Sequence, residues 1–183
     1  MRRKSAKELL ADSFHELAEK KNADRITIQE IAENCGYSPA TFYRNFKDKY
    51  DLIAWEHAHR VSEIMNRINE DYPWRLALQD WMKFVQEERS YLANLFLHTS
   101  GHDSFVRYMT EINIEAFRRH VAEVFGAEKL DRMMEIYIRE YCLGTVNLIC
   151  EWILGRVKAS PEEMTEVFEE SLPQPIRNYL IQA

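Results

Sequence analysis

The densest chemistry in the chain lies between Cys35 and Phe46, in CGYSPATFYRNF. Ser38, Thr41 and Tyr43 bring hydroxyls, Arg44 brings a guanidinium, and Phe42 and Phe46 stand four apart among them. Hydroxyls and a guanidinium on one short helix are suited to hydrogen-bonding phosphates and base edges. Ala40 and Thr41 are small enough to let such a helix enter a major groove, and they offer methyl contacts to thymine.

Groupings suited to catalysis are thin by comparison. His98 and His102 are four apart, a spacing that turns two imidazoles to one helix face for a metal. Ser100 and Gly101 between them weaken any helix, and no third ligand has an evident place. His57 and His59 are two apart and point to different sides of a helix. The chain has no Gly-rich phosphate loop and no GxSxG elbow. No enzyme activity, metal or cofactor is expected. Three cysteines, Cys35, Cys142 and Cys150, form no CxxC pair, which favours a reducing cytoplasm over a disulfide framework.

The elements that must position the polar cluster can be read from caps and periodicity. A first helix is expected from about Lys4 to Lys21, with Leu10, Phe14 and Leu17 on one face. Thr27 followed by Glu30 reads as a capping box for a second helix. Gly36 supplies its left-handed C-terminal residue. Ser38 then caps a third helix with Pro39 in its first position. Two short helices joined by a tight turn make a helix-turn-helix. Phe42 and Phe46 face inward toward Phe14 and Ile31, leaving the polar residues outside. From Asp48 to about Tyr72 the pattern continues as one long helix of ~35 Å, ending at Pro73.

Charge supports this division. The chain carries a net charge of −6, but residues 1–50 hold 10 Lys+Arg against 8 Asp+Glu. A basic end on an acidic body is expected where only one part touches phosphate. Arg2, Arg3 and Lys4 lead into a charged stretch rather than an apolar one, so no secretory leader is expected. Residues 141–150, YCLGTVNLIC, are uncharged but well short of the ~20 needed to span a bilayer. No membrane partner is expected.

The remainder reads as helical and aromatic, with 46% hydrophobic residues overall and only 5 Gly and 5 Pro. Trp81, Phe84, Tyr108 and Phe117 are candidates to line a cavity for a small apolar or amphipathic effector. Arg107, Asn113, Arg139 and Asn147 are polar candidates for the same space. The helix around IYIREYCLGTVNLICEWIL is apolar on more than one side, and a helix hydrophobic all round must be buried all round. Pairing with a second copy achieves this, with Ile149, Trp152, Ile153 and Phe168 as candidate interface residues.

Residues 27–52, TIQEIAENCGYSPATFYRNFKDKYDL, resemble the DNA-binding signature of the TetR family of transcriptional regulators. Ile31, Ala32, Gly36, Ser38, Thr41, Tyr43, Phe46, Lys49 and Leu52 match at fixed spacing. Tyr37, Ala40, Asn45 and Tyr50 depart from the usual small aliphatic, Gly, His and acid. The C-terminal part, around Gly144, Trp152 and the Ser-Pro-Glu-Glu start at Ser160, is similar to a Firmicutes-type branch that includes dihydroxyacetone kinase operon activators.

The resemblance implies an all-α chain in two domains, residues 1–61 binding DNA and residues 62–183 binding an effector and dimerising. It implies phosphate contacts from Thr27 and Lys49. Ser38, Pro39, Ala40, Thr41 and Tyr43 would lie against the groove of double-stranded operator DNA, with Arg44 beside them. The expected function is a homodimeric, ligand-responsive repressor. The alternative is an activator or co-regulator acting mainly through a protein partner.

Overall fold

The computed structural model describes residues 4–69, 71–100 and 104–180, and among them every regular element is helical. The N-terminal elements are α1 (Ala6–Ala18), α2 (Ile28–Asn34), α3 (Pro39–Asn45) and α4 (Lys49–Met65), with a short 3-10 turn (Ala23–Arg25) before α2. Then follow α5 (Trp74–Glu87), α6 (Arg89–Leu97), α7 (Phe105–Phe125), α8 (Arg132–Ile153), α9 (Pro161–Glu170) and α10 (Gln174–Leu180).

Local chemistry sets the ends of these helices. Ser5 with Glu8, Thr27 with Glu30, and Ser160 with Glu163 each form a capping box. Ser38 caps α3, with Pro39 first in the helix. At the end of α2, Gly36 takes φ +75 and the Tyr37 amide donates back to the Ala32 carbonyl at 2.8 Å. That closure needs a left-handed residue, and Gly adopts it without a Cβ penalty.

The fourth helix is shorter than its pattern suggests. It ends at Met65 rather than near Tyr72, so it spans about 25 Å. Beyond that end, Asn69 Oδ1 accepts from the amides of Asp71 and Tyr72, both at 2.9 Å. A side chain that hydrogen-bonds the following backbone offers an alternative to the helix ladder. α10 is the reverse case, following Pro173 and carrying Pro175 in its first turn. Proline stops a helix interior but is tolerated in a first turn.

Buried side chains run from Leu10, Phe14, Ile31, Phe42 and Phe46 through Leu52 and Ile53 into Trp74, Met82, Ile138 and Trp152. Core packing is therefore continuous along α4, and the position between residues 61 and 62 falls inside that helix.

Candidate nucleic-acid interface and effector cavity

α3 is divided between its two faces. Phe42 is fully buried and Phe46 is 2% exposed, whereas Tyr43 is 61% exposed. Two inward aromatics fix the roll of so short a helix, and its outward residues follow. Ser38 Oγ and Thr41 Oγ1 lie 3.3 Å apart. Arg44 lies along the same surface, donating from Nη2 to Thr41 Oγ1 and from Nε to the Ala40 carbonyl, both at 3.3 Å. Pro39 and Ala40 are exposed beside them. The outcome is a strip of hydroxyls, a phenol and a guanidinium on a rigid support.

Thr27 and Lys49, for which the resemblance implies phosphate contacts, make hydrogen bonds within the chain. The Thr27 amide and hydroxyl both donate to Glu30 Oε2 at 2.9 Å. Lys21 approaches the same carboxylate at 2.7 Å, and with Thr27 it holds the Glu30 carboxyl down to about 2. A carboxylate thus lies at the positive end of α2. Lys49 Nζ donates to the carbonyls of Ala23, Asp24 and Ile26 at 2.8, 2.6 and 3.0 Å. An ammonium has three protons, and all three are used inside the chain. Burial lowers the Lys49 pKa, with Asp24 opposing the shift. Lys49 clamps the start of α4 to the turn that precedes α2.

A second clamp was not anticipated from the sequence. Asn94, on α6, donates from Nδ2 to the carbonyls of Ala18 and Lys21 and accepts the Ala23 amide at Oδ1. Close by, His15 Nε2 lies 2.9 Å from Glu88 Oε2, and the Tyr91 hydroxyl donates to Glu56 Oε2 at 2.7 Å. Burial raises the Glu56 pKa and pushes the Tyr91 phenol well above its ordinary value. The only hint in the sequence is an asparagine inside the apolar run YLANLFL.

Between α4, α5, α7, α8 and α9 lies a cavity of about 70 Å³. Trp81 and Phe117 line it together with Trp74 and Tyr141. Phe84 and Tyr108 do not. Phe84 sits under the Arg60 guanidinium at 3.8 Å, beside a smaller cleft bounded by Glu56 and Tyr91. Tyr108 is half-buried elsewhere on α7. Among the polar candidates only Asn113 reaches the cavity; Arg107, Arg139 and Asn147 are exposed. Asn113 Oδ1 is 3.1 Å from Nε2 of His57, a buried histidine on α4 whose pKa burial lowers to about 4.

The four candidate interface residues lie inside the single chain. Ile149, Trp152, Ile153 and Phe168 are each at most 4% exposed. Trp152 Nε1 donates to the Ala159 carbonyl at 2.8 Å, and Ile149 and Phe168 line the cavity. Residues already buried in one chain have no surface to offer a second. The apolar side chains that α8 and α9 do expose are Met133, Ile136, Leu143 and Val167. The four side chains that periodicity assigned to a partner are thus packed within the single chain.

His98 is half-buried, and His102 lies outside the described residues. Among the described residues no group of three His, Cys, Asp or Glu side chains is placed to hold a metal, and no helix is long and apolar enough to cross a membrane.

Comparison with known proteins agrees with this architecture. Residues 12–54 match the family described as bacterial regulatory proteins, tetR family, and residues 73–174 match that described as transcriptional regulator C-terminal region. No curated protein matches. Among solved structures, a TetR transcriptional regulator from Rhodococcus sp. RHA1 is similar with a TM-score of 0.68 at 18% identity, covering 95% of this chain and 98% of that one. The dihydroxyacetone kinase operon activator DhaS gives 0.61 at 14% identity, covering 94% and 95%. The TetR family repressor AlkX from Dietzia sp. strain DQ12-45-1b, implicated in biodegradation of n-alkanes, gives 0.55 at 18%, covering 98% and 100%. At such identities the likeness is one of fold.

Proposed function

The chain belongs to the TetR family of bacterial transcriptional regulators, and on that premise we propose that it is a homodimeric repressor of operator DNA, released by a small apolar or amphipathic effector. Residues 1–61 serve as the DNA-binding unit and residues 62–183 as the effector-binding and dimerising unit. The observation that carries the reading is the division of α3, with Phe42 and Phe46 inside and Ser38, Thr41, Tyr43 and Arg44 outside. In this reading Ser38, Pro39, Ala40, Thr41, Tyr43 and Arg44 meet the major groove, while Lys49 holds the helix in place from within.

A second copy is supported by the apolar residues that α8 and α9 leave uncovered. Ile136 and Leu143 are seven apart, two turns along one face of α8, and Val167 is exposed on α9. A twofold pair built on these helices sets two α3 helices against successive major grooves, ~34–36 Å apart.

The size of the cavity supports a mechanism for release. A void of about 70 Å³ is smaller than an engineered cavity of ~150 Å³ that accepts benzene. An effector with a six-membered ring must therefore move a wall. Val61, Ile64 and Met65 make α4 one of those walls, and Lys49 joins the other end of the same helix to the turn before α2. A ligand that favours the expanded arrangement shifts the population toward it, and α3 moves with α4.

The test is selection of genomic fragments by the purified protein, followed by gel shifts over a range of salt. Direct operator binding weakens steeply as salt rises, because phosphate contacts release counterions. Enriched sites overlapping a promoter support repression, whereas sites upstream of it favour activation. No enrichment, with stable capture of another regulator, favours the co-regulator reading.

A further inference from the structure

The polar groups on the cavity wall point to the chemistry of its occupant, an inference that rests on the effector reading above. Among the described residues no Asp, Glu, Lys, Arg or His lines the cavity, so an ionic ligand would lose its hydration with no counter-charge to replace it. The hydroxyl protons on the wall are already used: Thr145 donates to the Tyr141 carbonyl at 2.8 Å, and Tyr141 to the Phe168 carbonyl at 2.7 Å. Two wall residues also carry N–H donors. Trp74 Nε1 is buried without a hydrogen-bond partner among the described residues. Asn113 pairs its Oδ1 with His57 Nε2 at 3.1 Å, a bond that does not use its Nδ2. We infer that Asn113, held by His57, is the specificity residue of this cavity, and that the effector is an uncharged, largely apolar molecule with a hydrogen-bond acceptor such as a carbonyl or ether oxygen.

The geometry makes His57 a positioning residue. Its ring meets Trp81 edge-on at 5.6 Å and Phe105 at 5.8 Å, so it cannot swing away from Asn113 without repacking both. With Oδ1 turned to it, the ring carries its proton on Nε2. The pair also links α7 to α4, so a ligand that engages Asn113 acts on the helix that ends at the Lys49 clamp.

The experiment uses two probes of nearly the same shape, cyclohexanone and methylenecyclohexane, titrated by ligand-detected NMR. Cyclohexanone is expected to bind the parent about 3- to 10-fold more tightly, the range of one neutral hydrogen bond. Cyclohexylammonium and cyclohexanecarboxylate are expected not to bind. Asn113→Leu should bring the ratio to one while the hydrocarbon still binds. Should that change leave His57 unsatisfied and the chain unstable, His57→Phe with Asn113→Leu removes both partners and gives the same expected ratio. A ratio of one in the parent, or a ketone preference that survives Asn113→Leu, overturns the inference and leaves the effector reading standing. If neither probe binds the parent or alters Trp fluorescence, the effector reading falls and this inference with it.

Discussion

Asn94 and Lys21 are 73 residues apart in sequence, yet Asn94 Nδ2 donates to the Lys21 carbonyl at 2.8 Å. The same side chain holds the Ala18 carbonyl and the Ala23 amide, so one amide group fastens α6 to the turn between α1 and α2. Asn94→Leu should leave these backbone groups unsatisfied and cost about 2 kcal/mol. A urea midpoint equal to that of the parent, with unchanged hydrogen exchange at the Ala23 amide, would show that the clamp carries no stability.

Lys49 makes the second tie. Lys49→Met keeps the aliphatic stem and removes the ammonium from three carbonyls. The expected loss is about 1–3 kcal/mol of stability. Operator affinity should fall with it because α3 loses its support, while the slope of log affinity against log salt stays at the parent's value. A slope reduced by about one unit at unchanged stability would instead mark Lys49 as a phosphate contact.

Tyr43 and Arg44 should behave in the opposite way. Both are exposed, so Tyr43→Ala and Arg44→Ala should leave the urea midpoint within about 0.5 kcal/mol of the parent. Operator binding should weaken about tenfold or more for each, read by gel shift. If either folded variant binds as the parent does, the outward face of α3 is not the reading surface at that position.

The helix-turn-helix was legible because its signals are local: caps three residues apart, a glycine at a helix end, and two aromatics on one turn. The side chains with structural tasks at its edges were not legible. Lys49 looks like a surface cation until the carbonyls of Ala23, Asp24 and Ile26 are seen to converge on it, and that convergence is set by the whole fold. Asn94 and Asn113 give the same lesson, since each is one polar residue on an apolar helix whose partners lie on distant segments. Periodicity on α8 marked two apolar sides but not their destinations, because the inward one is decided by packing against other helices. Phe84 and Tyr108 were grouped with Trp81 and Phe117 by type, and type does not say which wall a ring joins.

The seam between copies can be tested by contrasting the two sides of α8. Leu143→Glu places a charge on the exposed side and should give a folded monomer by light scattering, with operator affinity lost. Ile149→Glu buries a charge beside the cavity and should unfold the chain itself, costing several kcal/mol. A dimeric, operator-binding Leu143→Glu variant would move the seam elsewhere.

The buried His57 makes stability depend on pH in a direction that can be worked out. Burial lowers its pKa from the ordinary 6.5 to about 4, and the Arg60 charge on the next turn of α4 acts in the same direction. Between those two values the unfolded chain binds a proton that the folded chain does not. The contribution of His57 is therefore present in full above about pH 6.5 and is lost as pH falls toward 4. Its size is at most about 3 kcal/mol over that window. Glu56, one residue away, has its pKa raised by burial and works the other way, losing stability as pH climbs from 4.5 through its raised value. The two slopes overlap, so the parent's curve alone cannot separate them. Comparing the parent with His57→Phe/Asn113→Leu removes one group and keeps the other. The variant should gain on the parent as pH is lowered from 6.5 to 4, measured by urea midpoints at half-unit steps. Parallel curves across that range would mean that His57 keeps the same pKa folded and unfolded.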